Sequence, residues 1–162
     1  MNNTVITKDL ANRKLNVTRQ FNAPLEKLWK AWTDKDLLDK WWAPKPWKAE
    51  TKTLDFTAGG LWLYAMQGPD GTKMWSRVDI KTVVPQSSFS TACAFSDEDG
   101  TIDQNFPKMY WDVKFEGLGQ ITKVYVELSF DTDAAMQKII EMGFEGGFTM
   151  DLNNLEELLE TY

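Results

Sequence analysis

MQKIIEMGFEGGFTMDLNNLEELLE, residues 136–160, sets Met136, Ile139, Ile140, Gly143, Phe144, Gly147, Phe148, Leu152, Leu155 and Leu159 at three- and four-residue steps. That spacing stacks side chains along one face of a helix. Thr132 or Asp133 can cap it. The spacing predicts one helix from there to about residue 160, roughly 40 Å long at ~1.5 Å per residue. Gly143, Gly146 and Gly147 stand in its middle, and each costs ~1 kcal/mol against Ala in a helix interior. Close packing on a strand would explain them. So would room left for a ligand, or a kink.

The long helix needs a surface to lie on, and the residues before it supply one. From 48 to 130 the apolar residues recur at every second position, which is the period of a strand. Candidate strands cover 48–56, 60–67, 73–84, 88–95, 109–116 and 121–130, divided by AGG (58–60), GPDG (68–71), VPQS (84–87), SDEDG (96–100) and GLG (117–119). These breaks have turn chemistry, so consecutive strands fold back as an antiparallel meander. Further upstream RKLNVTRQF (13–21) is another alternating run, with Arg19 on the same parity as Leu15, Val17 and Phe21. PLEKLWKAW (24–32) carries Leu25, Leu28, Trp29 and Trp32 at helical spacing, with Pro24 suited to the first helical position. A second short helix starts after Asp34, presents Leu37, Leu38, Trp41 and Trp42, and stops at Pro44 and Pro46. Residues 1–12 are polar and aperiodic and read as an extension; residues 13–162 read as a single domain. The fold class is α+β: a curved antiparallel β-sheet wrapped around a long C-terminal helix, with two short helices after the first strand. This is a helix-grip arrangement, and a curved sheet cannot seat a straight helix along its whole length. A cavity of roughly 300–1,000 Å³ is expected between them.

Composition excludes several classes of function. The chain has 162 residues, 18 Lys and Arg against 24 Asp and Glu, and a formal net charge of −6. No basic patch is present to hold phosphates, so nucleic acid is not an expected partner. An anionic membrane surface is not expected either. No apolar run approaches the ~18 residues of a membrane span, and the first residues lack the apolar core of a signal peptide. There is no histidine and only one cysteine, Cys93. That removes His-based triads and His-ligated zinc, and no metal or cofactor is expected. An unpaired Cys fits a reducing cytoplasm. With 13% aromatic residues, including eight Trp, part of the aromatic content has an enclosed pocket as its natural home.

Taken together, FNAPLEKLWKAWTD (21–34), LLDKWWAP (37–44), DFTAGGLWLYAMQGPDG (55–71), VVP (83–85) and MGFEGGFTMDLNNLEELL (142–159) resemble the START/Bet v1-like (SRPBCC) superfamily. The branch is the one similar to the carboxy-terminal domain of the activator of Hsp90 ATPase. The motifs occur in the family's order and span residues 15 to 160. The resemblance implies a helix-grip fold with a hydrophobic cavity under the long helix. Better understood members of the superfamily bind lipids, sterols, hormones or polyketides there, and some cyclise or hydroxylate them. The activity named in this branch is stimulation of a chaperone ATPase, performed by a two-domain protein.

Many relatives carry charges at the odd positions of the strand at 60–67, which turns Trp62, Tyr64 and Met66 inward. In this chain Leu61 and Leu63 make the other side apolar too, and an outward Leu61/Leu63 patch, with Trp75, would be a homodimer surface. Ser76 and Val78, Phe89 and Thr91, and Trp111 and Val113 share the inward parity of their strands. Across from them stand Gly143, Phe144, Gly147 and Phe148. KWWAPKPW (40–47) adds Trp42 and Trp47 at one mouth of the cavity, while Trp41 is anchored in the core. These fifteen residues form the candidate lining for an apolar or amphipathic small molecule. Tyr64, Ser76, Thr91, Tyr110 and Glu145 could orient it; Arg77 and Asp112 fall on the outward parity. No spacing of carboxylates marks a catalytic pair. Three functions follow as expectations: a small-molecule-binding protein, a chaperone (Hsp90-type) interaction domain, and a cyclase- or hydrolase-like enzyme. The last requires two polar groups converging in the cavity, one of them with a displaced pKa.

Overall fold

Alternation is converted directly into burial. In the computed structural model, which describes residues 4–162, Lys14–Phe21 (β2) buries Leu15, Val17, Arg19 and Phe21 on a single face. Lys73–Val84 (β5) buries Ser76, Val78 and Ile80, and Ser88–Ser96 (β6) buries Phe89, Thr91 and Cys93. Met109–Leu118 (β7) contributes Trp111, Val113 and Phe115, and Ile121–Ser129 (β8) contributes Thr122, Val124, Val126 and Leu128. Lys48–Leu54 (β3) and Leu61–Gln67 (β4) complete the meander, and Val5–Asp9 (β1) pairs with β2. The eight strands are all antiparallel to their neighbours in the order β1-β2-β8-β7-β6-β5-β4-β3. β2 therefore closes on β8, the last strand of the meander, and the helix-grip architecture follows.

Leu25–Thr33 (α1) and Lys35–Trp41 (α2) join β2 to β3. Asp34 caps α2 by accepting a hydrogen bond from the Asp36 amide at 3.0 Å. Pro24 sits one position earlier than expected, at the cap of α1, where its carbonyl accepts from Lys27 and Leu28. The C-terminal segment of the molecule is Asp133–Glu141 (α3) and Phe144–Leu159 (α4). Thr132 caps α3 as expected, accepting from the Ala135 amide. Phe148, Leu152, Leu155 and Leu159 of α4 enter the same core as the inward residues of the sheet. Polar anchors fix its position: Arg19 bonds to Asn153 Oδ1 at 2.7 Å and pairs with Glu156 at 3.3 Å, and the Asn154 amide donates to the Ala43 carbonyl at 3.0 Å.

Three expectations are corrected. The helix is not continuous: it breaks at Met142–Gly143, where Gly143 adopts φ +86°, a left-handed conformation that side chains with a Cβ avoid. The glycines do not serve close packing on a strand. A Cβ on Gly143 or Gly146 would meet nothing within 4 Å, and one on Gly147 would only touch Pro44 Cγ at 3.9 Å. Second, residues 5–9, read as part of an extension, form the edge strand β1; residues 1–3 lie outside the described residues. An edge strand joined through its backbone needs no apolar alternation, and Val5–Asp9 has none. Third, Leu63 is buried and Leu61 half-buried, so they do not form an exposed patch. The 97–101 turn is held to that outer face by Lys52 Nζ donating to the Glu98 carbonyl and Arg77 Nη1 donating to the Gly100 carbonyl.

Candidate functional site

Breaking the helix leaves space between its two halves and the sheet. A recess of about 220 Å³ lies there, smaller than the cavity expected because large rings occupy part of the volume. Its sheet wall is Tyr64 and Met66 of β4, Met74 and Ser76 of β5, Cys93, Ala94 and Phe95 of β6, and Met109 and Trp111 of β7, with Pro107 just before β7. Its helical wall is Ile139, Met142, Gly143, Phe144, Gly147, Phe148 and Asp151, and Trp42 and Pro44 close one side. The missing side chains at Gly143 and Gly147 matter here, because both positions line the recess and a Leu at either would take up part of this volume.

Of the fifteen candidate lining residues, the recess contains Trp42, Tyr64, Met66, Ser76, Trp111, Gly143, Phe144, Gly147 and Phe148. Trp62, Val78, Phe89 and Thr91 border a second, nearly closed gap of about 30 Å³ at the other end of the core. Val113 is fully buried and borders neither. Trp47 also borders neither, because its ring lies against Gly68 in the β4–β5 turn. Strand parity selects the face, and position along the strand selects the end. Trp41 is anchored as expected, buried completely with Nε1 donating to the Ala31 carbonyl at 2.9 Å.

Trp42 stands between the two spaces and borders both. Its ring meets Trp32, Trp41, Trp62, Trp111 and Phe148 at centroid distances of 5.1 to 6.2 Å, and its Nε1 donates to the Tyr64 hydroxyl at 2.9 Å. Buried indole N–H groups need such partners. The Trp111 Nε1 is buried without one among the described residues.

The polar groups expected to orient a ligand divide in the same way. Tyr64 and Ser76 line the recess, and Thr91 lines the smaller gap. Tyr110 instead donates to Asp131 Oδ2 at 3.0 Å, Glu145 pairs with Lys8 at 3.2 Å, and Arg77 pairs with Asp79; Asp112 is exposed. The residue that sequence reading missed is Asp151. It is 5% exposed, it faces the recess from α4, and its Oδ1 has no hydrogen-bond partner among the described residues. The signal was available: Asp151 lies three residues after Phe148 and four after Gly147, inside the apolar stripe.

Burial in this apolar surrounding pushes the Asp151 carboxyl up to about 8, with no neighbouring cation to oppose it, as desolvation disfavours the charged form. Burial likewise pushes the Cys93 thiol up to about 12, which makes it unreactive. Tyr64 is also raised, first by burial and further by the nearby Cys93 and Asp151, although hydrogen bonds from Trp42 and Ser76 oppose the shift. At neutral pH the recess therefore holds three protonated acids and no formal charge. Among the described residues no cluster of His, Cys, Asp and Glu could hold a metal ion, and no helix is long and apolar enough to cross a membrane.

The family described as Activator of Hsp90 ATPase homolog 1-like protein matches residues 22–160. Comparison with curated proteins gives no match. Among solved structures, a protein from Arthrobacter aurescens is similar over 98% of this chain and 92% of its own, with 29% identity and a TM-score of 0.92. Protein Ms6760 from Mycobacterium smegmatis is 29% identical over 96% of both chains with a TM-score of 0.88. A protein from Staphylococcus epidermidis, 29% identical, covers 97% of this chain and 94% of its own at a TM-score of 0.85.

Proposed function

The chain belongs to the Activator of Hsp90 ATPase homolog 1-like family, and on that premise we propose that it is a cytoplasmic small-molecule-binding domain whose site is the recess between sheet and broken helix. The observation that carries this reading is the unfilled apolar volume of about 220 Å³ behind Gly143 and Gly147. A protein core is normally packed to the density of an organic crystal, and Gly147, inside α4 with only Pro44 Cγ at 3.9 Å from where its Cβ would stand, leaves helix stabilisation unused. Space retained at that cost fits a site kept open for an apolar or amphipathic occupant. Native mass spectrometry of the protein purified from its own host tests it. A non-covalent adduct that disappears in Gly147→Leu supports the reading. An adduct-free wild type that also fails to bind an apolar dye, 1-anilinonaphthalene-8-sulfonate or its neutral parent, overturns it.

A second reading, a cyclase- or hydrolase-like reaction in the recess, is favoured by the convergence of Tyr64, Ser76 and Asp151 on one volume. With Tyr64 and Cys93 held in their protonated forms, such chemistry would rest on proton donation rather than nucleophilic attack. Recovering the host-derived ligand unchanged after prolonged incubation with the protein would sink it. The family's name raises stimulation of a chaperone ATPase, which an ATPase assay with the host's Hsp90-type chaperone decides.

A further inference from the structure

Among the described residues Asp151 is the one carboxyl group lining the recess, and no lysine or arginine lines it. It comes from α4. Of the elements packed against it, β4 brings Tyr64 and β6 brings Cys93, and these are the other titratable groups of the lining. β5 brings Ser76 and Met74, β7 brings Met109 and Trp111, α3 brings Ile139, and the segment after α2 brings Trp42 and Pro44; none of these titrates. The Tyr64 hydroxyl accepts from the Trp42 indole at 2.9 Å and makes no hydrogen bond to Asp151. Asp151 Oδ1 is buried with no hydrogen-bond partner among the described residues. A buried acceptor without a donor is destabilising, and ionising it in isolation would be more so, which is why it holds its proton. Supplying a donor that also carries positive charge removes both costs at once.

The remaining walls favour the same kind of guest. Trp42, Trp111, Phe144 and Phe148 present aromatic rings to the recess, and ring faces attract a cation that has left water. An anion would find no positive partner there, and a neutral ligand would leave the ring faces and the carboxyl oxygen with weaker partners. Resting on the reading of the recess as a ligand site, we propose that it selects compact apolar amines, whose protonated nitrogen pairs with Asp151 while the apolar body lies among the rings and methionines.

The proposal fixes a proton balance. The free site holds Asp151 protonated at neutral pH, with its carboxyl near 8, and the amine arrives as an ammonium ion. Forming the ion pair requires Asp151 to lose its proton, so binding releases one proton to solvent below about pH 8 and affinity rises about tenfold per pH unit up to that point. A neutral ligand releases none.

Tryptophan fluorescence and calorimetric titrations with benzylamine, benzyl alcohol and acetophenone test it. The calorimetry is done in two buffers of different ionisation enthalpy. The expected result is benzylamine binding at least about tenfold tighter than the other two near pH 8, with close to one proton released per ligand near pH 6.5. In Asp151→Asn, benzylamine should lose that advantage while benzyl alcohol binding changes less than threefold. Equal affinities, tighter binding of acetophenone, or no proton release overturns the amine inference and leaves the binding site standing. Failure of all three probes, together with failure of the neutral apolar dye, removes the binding reading itself. The wild-type proton count needs no variant, so the test survives a poorly folding Asp151→Asn.

Discussion

The two ends of the space beneath the helices are built from similar residue types and come out differently. At one end Trp29, Trp32, Trp41, Phe56, Phe89 and Phe115 meet mostly edge to face, with contacting centroids 4.9 to 6.5 Å apart, and leave about 30 Å³. At the other, methionines, two stacked phenylalanines and a buried carboxyl surround about 220 Å³. The difference lies in what faces the sheet. α1 and α2 deliver rings to the closed end, whereas α3 and α4 deliver a glycine break to the open one. A single curved sheet thus hosts a packed core and a recess, and the helices decide which is which. Trp42 forms the boundary between them.

Four measurements probe that contrast, beginning with the largest effect. Trp41→Ala in the closed end should cost about 3–5 kcal/mol in urea unfolding, because a fully buried ring leaves a cavity that its neighbours cannot fill. A loss below 1 kcal/mol would mean that this end is not the tightly packed one. Asp151 should make stability fall as pH rises. Its folded pKa lies above its unfolded one, so its contribution is complete below about pH 4 and is lost towards about pH 8, at about 1.4 kcal/mol per pH unit. Asp151→Asn should flatten that slope and stabilise the protein at pH 7.5; an unchanged slope would contradict a buried, unpaired carboxyl.

Tyr64→Phe attacks the boundary. It removes the acceptor of the Trp42 indole and leaves a buried N–H unpaired, for an expected loss of about 1–3 kcal/mol with a shifted tryptophan emission. The smallest effects separate two glycines of the open end. Gly143→Ala forces a Cβ into φ +86° and should cost about 1–2 kcal/mol. Gly146→Ala sits in regular helix with free space around it and should gain up to about 1 kcal/mol. Thermal unfolding of the pair would refute the break if both substitutions shifted stability the same way.

Sheet, helix caps and chain order were legible because each depends on neighbours in sequence. Period-two burial from Leu15 to Leu128, the Thr132 cap and the Asp34 cap all needed only local spacing. β1 was not legible, since a strand held at an edge by backbone hydrogen bonds carries no apolar alternation. The helix break was undecided because glycine permits both close approach and left-handed turns, and only the surroundings distinguish them. Parity placed Trp62, Tyr64, Phe89 and Trp111 on the inner face but could not say which end each would serve. Asp151 escaped notice because the stripe was traced through apolar residues, and a polar residue at the right spacing is invisible to that search.

The edge strand Val5–Asp9 has a consequence for anyone handling this protein. Trimming residues 1–12 as a dispensable tail would turn β2 into the margin of the sheet, and β2 offers an alternating run with a row of backbone groups ready to pair with another molecule. With β1 in place that margin carries Lys8 and Asp9, and Lys8 is tied to Glu145 of α4 at 3.2 Å; at the opposite margin β3 carries Lys48, Glu50 and Lys52. Both borders of the sheet are thereby charged, and the shortened chain should precipitate at concentrations where the full one stays dispersed.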